Sequence, residues 1–136
     1  MGYTHYWDQE NVLIDDDRWL IAIAKCNTIV KANAGILGDG NGEGNVKLAA
    51  EELWFNGKGA YAHETFFVGR LESGGFCKTD HKAYDPVVVG CLAVLAHELR
   101  GHFTVSSDGG PAEWQPGVEL ACNVLGENIP NPIEGA

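Results

Sequence analysis

The chain has 136 residues, enough for one domain whose core needs no metal or disulfide staple. Its formal charge of −10 repels a phosphate backbone, which excludes a nucleic acid polymer as partner and leaves room for a small anion held by local cations. The longest apolar run, Pro86 to Ala96, is too short for a membrane span, and Met1 to Tyr6 lacks the basic and apolar stretches of a signal peptide, so no membrane partner and a cytoplasmic location are expected.

Taken in chain order, Tyr3, His5 and Trp7 alternate with Thr4 and Tyr6 and predict a first strand. Asp15 to Asp17 supply an N-cap and acidic first turn for a helix. Its buried face reads as Trp19, Ile23, Cys26 and Val30, with Lys31 near the end and Gly35 suited to the C-terminal cap. Gly38 to Gly44 alternates glycine with Asp39, Asn41 and Glu43, as a calcium loop does. The twelfth position of such a loop would fall on Ala50, with Glu51 one place late, so a turn is expected instead.

Leu53 and Phe55 alternate with Glu52 and Trp54, and Asn56-Gly57 predicts a hairpin turn with Phe66 and Val68 on the return strand. Gly74-Gly75 marks another turn before Phe76-Cys77-Lys78. Asp85-Pro86 opens a helix that is apolar nearly all round to Leu99, and so central, and Gly101 ends it. Thr104 to Ser106 reads as a strand, Asp108 to Pro111 as a turn and Val118 to Leu125 as a last helix capped by Gly126. The expected fold is α+β: a small antiparallel sheet with two long helices packed on one face and a shorter C-terminal helix. Residues 1–127 form a single globular domain in this reading and 128–136 a loose C-terminal tail. Polar side chains would occupy the sheet face away from the helices.

Most apparent chemical motifs fail on spacing. His97 and His102 lie at i and i+5, where a zincin helix needs i and i+4, and Gly101 falls between them. Nothing fixes a common geometry for His5, His63 and His81, so no metal and no cofactor is expected. Cys26, Cys91 and Cys122 read as small buried hydrophobes on helices. Cys77 adjoins Lys78, whose charge would favour a thiolate, although an inward-packed strand residue is the plainer account.

What remains is a dense run of amides, hydroxyls, aromatics and cations between residues 55 and 85, followed by Ser106-Ser107-Asp108-Gly109. In residues 56–85 the cations Lys58, Arg70, Lys78 and Lys82 balance Glu64, Glu72, Asp80 and Asp85, so the negative excess lies elsewhere. The combination Met1-Gly2-Tyr3-Thr4-His5-Tyr6-Trp7, Phe55-Asn56-Gly57, Glu64-Thr65-Phe66, Arg70, Phe76-Cys77-Lys78-Thr79, Lys82, Tyr84-Asp85 and Ser106-Ser107-Asp108-Gly109 resembles a family of small proteins from bacteriophages and bacterial genomes. The resemblance spans about residues 1 to 115, implies a phage or prophage origin and assigns no chemistry. Members usually carry proline before the Tyr-Asp pair, where this chain has Ala83.

The residues point first to a binding module for a small anionic, nucleotide-like molecule. Arg70 would grip a phosphate, Lys78 and Lys82 add charge, and Asn56 and Thr79 offer hydrogen bonds. His63, Ser107 and Asp108 would complete the polar lining, with Tyr3, Trp7, Tyr84 or Trp114 stacking on a base. By analogy with a phage origin alone, such a module in the host cytoplasm would sequester a cyclic-nucleotide immune signal. The alternatives are a small phosphoester hydrolase, with His63 or His5 as base, Glu64 or Asp108 as acid and Arg70 or Lys78 as anion stabiliser, and a virion or filament-forming protein whose first strand pairs with a neighbouring copy as a homo-oligomer.

Overall fold

A computed structural model describes residues 2–133. Strand β1 (Thr4–Gln9) leads to helix α1 (Asp16–Ala32), a 3₁₀ turn at Ala34–Ile36 and the two-residue strand β2 (Leu37–Gly38). Strands β3 (Glu52–Gly57), β4 (Phe66–Gly69) and β5 (Gly74–Lys78) follow, then helix α2 (Asp85–Glu98), strand β6 (Phe103–Ser107) and helix α3 (Pro111–Leu125).

The fold is α+β, but the strands form two small antiparallel sheets where one was expected. One has the order β5-β1-β6 and the other β2-β3-β4. Strand β1 is the centre of the first, pairing His5 with Cys77 on one side and with Ser107 on the other. Its alternation sends Tyr3, His5, Trp7 and Gln9 inward and Tyr6 and Asp8 to solvent.

Helix α1 starts as its sequence dictates. The Asp15 carboxylate accepts the Arg18 N–H at 3.3 Å, Asp16 and Asp17 favour the positive helix end, and Trp19, Ala22, Ile23, Cys26, Ile29 and Val30 are buried. The helix ends on Asn33, two residues before the expected Gly35. Helix α2 is buried continuously from Val87 to Leu95 and contacts both α1 and α3, the central position its all-round apolarity predicts.

Helix α3 is a correction in both length and rank. It begins at Pro111 and is one residue longer than α2, so it is not the short last helix expected from Val118. Pro111 costs nothing in the first turn, where its missing N–H would have had no partner, and Glu113 accepts the Gly110 N–H at 3.1 Å. Trp114, Val118 and Ala121 then make one buried stripe that crosses α2 closely. A Cβ on Gly117 would lie 2.5 Å from Val89 Cγ1 and 2.9 Å from the Pro86 carbonyl, so only glycine lets the helices approach this far.

Asn56-Gly57 also differs from its expected role. It ends β3 without forming a two-residue hairpin, and the Asn56 amide closes the wider loop to β4 by donating to the His63 carbonyl at 3.0 Å and accepting the His63 N–H at 3.1 Å. In the glycine-rich segment, Asp39 Oδ1 accepts the N–H groups of Asn41 (2.8 Å) and Glu43 (3.1 Å), an Asx-type turn. Of the tail expected over 128–136, Ile129 is buried and the Asn131 amide donates to the Pro111 carbonyl at 3.0 Å; residues 134–136 lie outside the described residues. Among the described residues no helix is long and apolar enough to cross a membrane.

Candidate functional site

The two motif patches meet across β1. His5, fully buried, places Nδ1 2.7 Å from Ser107 Oγ and Nε2 2.7 Å from Asp85 Oδ1. Thr79 Oγ1 donates to the same Asp85 oxygen, and the Gly109 N–H donates to Ser107 Oγ at 2.9 Å. The sequence assembles this from one inward position on β1, the end of β6, the residue after β5 and the first residue of α2. Tyr3 and Trp114 flank the imidazole edge-to-face, at 5.0 and 5.1 Å between ring centroids.

The proton order follows from what each group can do. With Asp85 as a carboxylate, both of its partners must donate, so His5 carries its proton on Nε2. In the neutral imidazole Nδ1 is then the acceptor, and the Ser107 hydroxyl donates to it. The chain of hydrogen bonds thus has one direction, from Gly109 through Ser107 and His5 to Asp85.

Above this network lies an open cavity of about 560 Å³ lined by Gly2, Tyr3, His81 and Asp108. His81 stacks on Tyr3 with ring centroids 3.6 Å apart. It is carried there by a turn in which Asp80 and His81 both have positive φ, 53° and 59°, closed by the Lys82 N–H on the Thr79 carbonyl at 3.0 Å. The Tyr3 hydroxyl is buried without a hydrogen-bond partner, against Gly109, and its pKa is pushed up to about 12, chiefly by burial and then by Asp85 and Glu113.

On the opposite, solvent-facing side of the same sheet, Tyr6 pairs with Phe76 across β1 and β5. Both are exposed, Tyr6 by 43% and Phe76 by 64%. Lys78 lies two residues further along the Phe76 face, opposite Thr4, and the five residues Thr4, Tyr6, Glu64, Phe76 and Lys78 line a depression of about 280 Å³. Glu64 is fixed there because its carboxylate accepts the Lys78 N–H at 2.7 Å, while its own N–H reaches the Lys78 carbonyl at 3.2 Å.

The structure separates the residues singled out by sequence. Arg70 is committed elsewhere: its guanidinium donates to the carbonyls of Asn11 (2.7 Å) and Ile14 (2.6 Å) and to Asp16 Oδ1 (2.9 Å), and it lies 5.6 Å from the Trp19 ring centroid. The hollows beside it are lined by Asp16, Glu51, Glu52 and Glu72, an acidic setting that opposes an anion. Arg70 is therefore a clasp between β4 and the segment before α1. Trp7 is buried against Phe66, and Tyr84 is fully buried with its hydroxyl donating to the Glu64 carbonyl at 2.5 Å; neither ring is free to stack on a ligand. Asn56 and Thr79 spend their hydrogen bonds inside the protein, and His63 and Lys82 are exposed. Ser107, Asp108 and Thr79 do converge around His5 and Thr4, whose N–H donates to Asp108 Oδ2 at 3.0 Å.

The polar cluster lies on the inward side of the sheet, where Trp114 of α3 and Asp85 of α2 reach it, and not on the face away from the helices as expected. His5 and Asp85 were absent from the expected binding set. The signal for His5 was its inward position in the alternation of β1, where a polar residue needs partners. Asp85 had a sufficient local explanation as a helix start and so gave no further sign.

Cys77 resolves the thiolate question. Its thiol is buried between the Glu64 carbonyl (3.5 Å) and the Tyr84 hydroxyl (3.7 Å), and burial raises its pKa from the usual 9.0 to about 12. The folded state therefore keeps a proton that the unfolded chain releases above pH 9.0. The stability this provides is complete below pH 9.0 and is lost as pH rises toward about 12. Urea unfolding between pH 8 and 11 is expected to show a shallower alkaline decline for Cys77→Ala than for the wild type; parallel slopes would contradict it. Among the described residues no group of three or more His, Cys, Asp or Glu side chains is placed to hold a metal ion.

Comparison with known protein families, curated proteins and solved structures gave no match.

Proposed function

We propose that the protein binds a small, planar, anionic molecule of nucleotide type on the outer face of the β5-β1-β6 sheet. The observation that carries this reading is the pairing of exposed Tyr6 and Phe76 beside the Lys78 ammonium. Two large aromatic rings left in solvent cost hydrophobic free energy unless a ligand covers them. A base stacked on such rings gains about 1–3 kcal/mol per contact, and a lysine two residues along the strand is placed to meet a phosphate. One cation and the −10 charge of the chain favour a single nucleotide or cyclic nucleotide over a polymer.

Among the described residues the sheet face presents stacking and charge without a hydroxyl paired to a base or a metal-ligand set, which suits retention of the ligand intact. A sequestering module is therefore the preferred reading, and the resemblance to phage proteins supports a host cyclic-nucleotide signal as the ligand class. Thermal-shift screening against mononucleotides, dinucleotides and cyclic nucleotides is expected to find a stabilising ligand. Phe76→Ala should weaken that ligand about 10- to 100-fold, the loss of one stacking contact. A panel without any stabilising ligand would reject the reading.

A further inference from the structure

We propose that Ser107 and His5 form a nucleophile–base pair that hydrolyses small carboxylic esters held in the cavity over Tyr3 and His81. This activity is separate from ligand binding on the outer sheet face, because the two sites use opposite sides of β1.

Four observations converge. Ser107 Oγ is 2.7 Å from His5 Nδ1, and with a neutral imidazole protonated on Nε2 the serine gives its proton to that nitrogen. The other ring nitrogen is held at 2.7 Å by Asp85, itself fixed by Thr79, so the imidazole has one tautomer and one orientation. Ser107 is half-buried while His5 and Thr79 are fully enclosed, so the relay meets the surface at the serine. The Tyr3 ring lines the cavity, and its buried hydroxyl lies against Gly109 and beside Ser107 without a hydrogen bond of good geometry. It is a donor waiting for an acceptor, which a developing oxyanion supplies. Relative to the serine-protease arrangement the two imidazole nitrogens are exchanged, with serine on Nδ1 and carboxylate on Nε2. The ring conducts a proton in either sense.

The chemistry balances without a metal or external cofactor. Ser107 Oγ bonds to the ester carbonyl carbon as its proton moves to His5 Nδ1, and the carbonyl electron pair goes to an oxyanion facing the Tyr3 hydroxyl. The pair returns, the C–O bond to the alcohol breaks, and the leaving oxygen takes the proton from His5. Water then adds to the acyl-serine, giving a proton to His5. Collapse releases the carboxylic acid and returns the proton to Ser107.

The test uses the full chain with an aryl fluorophosphonate probe, read by intact-mass and peptide mass spectrometry, alongside hydrolysis of p-nitrophenyl acetate. The wild type should take up one probe on Ser107 and hydrolyse the ester. Ser107→Ala should lose labelling and at least 100-fold in turnover, whereas Ser106→Ala, one residue back on the outward face, should keep both. Tyr3→Phe should retain labelling but lose about 100-fold in kcat, the loss typical of removing one oxyanion donor. No labelling of the wild type, labelling confined to another residue, or wild-type turnover by Ser107→Ala would overturn the proposal. None of these outcomes bears on nucleotide binding, so the two readings fail separately.

Discussion

Asp85→Ala is expected to lower the free energy of unfolding by about 3 kcal/mol, since it strips partners from two buried donors at once, each costing roughly 1–3 kcal/mol when left unmade. Those donors are His5 Nε2–H and Thr79 Oγ1–H, both in fully buried residues. The loss also removes the acid at the start of α2, where a negative charge complements the helix dipole. Asp85→Asn keeps an acceptor oxygen and should lose less. Urea denaturation reads the difference as a lower midpoint with unchanged slope. An Asp85→Ala midpoint within error of the wild type would show that the His5 network adds nothing to the fold, and would remove the basis for treating it as pre-organised.

Arg70→Ala is the second large effect, and its value lies in the pairing of two outcomes. Stability should fall by about 2 kcal/mol, because charge-assisted hydrogen bonds to the carbonyls of Asn11 and Ile14 are lost together and the second carbonyl belongs to a buried residue. The exposed pair with Asp16 adds little to that sum, its carboxylate side chain being 86% accessible. Arg70→Lys should not restore the loss, since one ammonium cannot reproduce the forked donation. Ligand affinity should stay within about twofold of the wild type, a change below 0.5 kcal/mol. Loss of affinity at unchanged stability would return Arg70 to the binding role that its sequence setting first suggested. Urea melts and titration of the same preparation separate these cases.

Arg70 shows where sequence reading stops. Its partners are backbone carbonyls of a segment about sixty positions away, and a carbonyl carries no side-chain signature. The Gln9 and Asn11 amides bind the same region, donating to the carbonyls of Gly69 and Leu71 at 2.8 Å each, so the clasp is a small network invisible to local pattern. The division into two sheets was hidden for a related reason. Alternation in β1, β3, β4 and β5 identifies strands and their inward faces, but pairing β1 with both β5 and β6 is a long-range choice.

Elements governed by local periodicity were legible. The buried stripe of α1, the all-round burial of α2 and the inward set Tyr3, His5 and Trp7 follow from spacing alone. Helix α3 was only half legible because Pro111 read as the end of a turn, although α3 carries two prolines, Pro111 and Pro116. One is harmless at the first helical position, and the other lies inside a helix held by the burial of Trp114 and Val118. For the site, sequence drew attention to Ser107, Asp108, Lys78 and Thr79. It could not show that Thr79 faces a buried carboxylate while Lys78, its neighbour, faces the exposed aromatics.

The central claim is that the ligand face is the Tyr6–Phe76–Lys78 surface and not the surroundings of Arg70. Isothermal titration of the best-stabilising nucleotide into the wild type, Phe76→Ala and Arg70→Ala tests it in one series. The account predicts affinity lowered about 10- to 100-fold in Phe76→Ala and unchanged in Arg70→Ala. Wild-type affinity in Phe76→Ala together with lost affinity in a folded Arg70→Ala would contradict it.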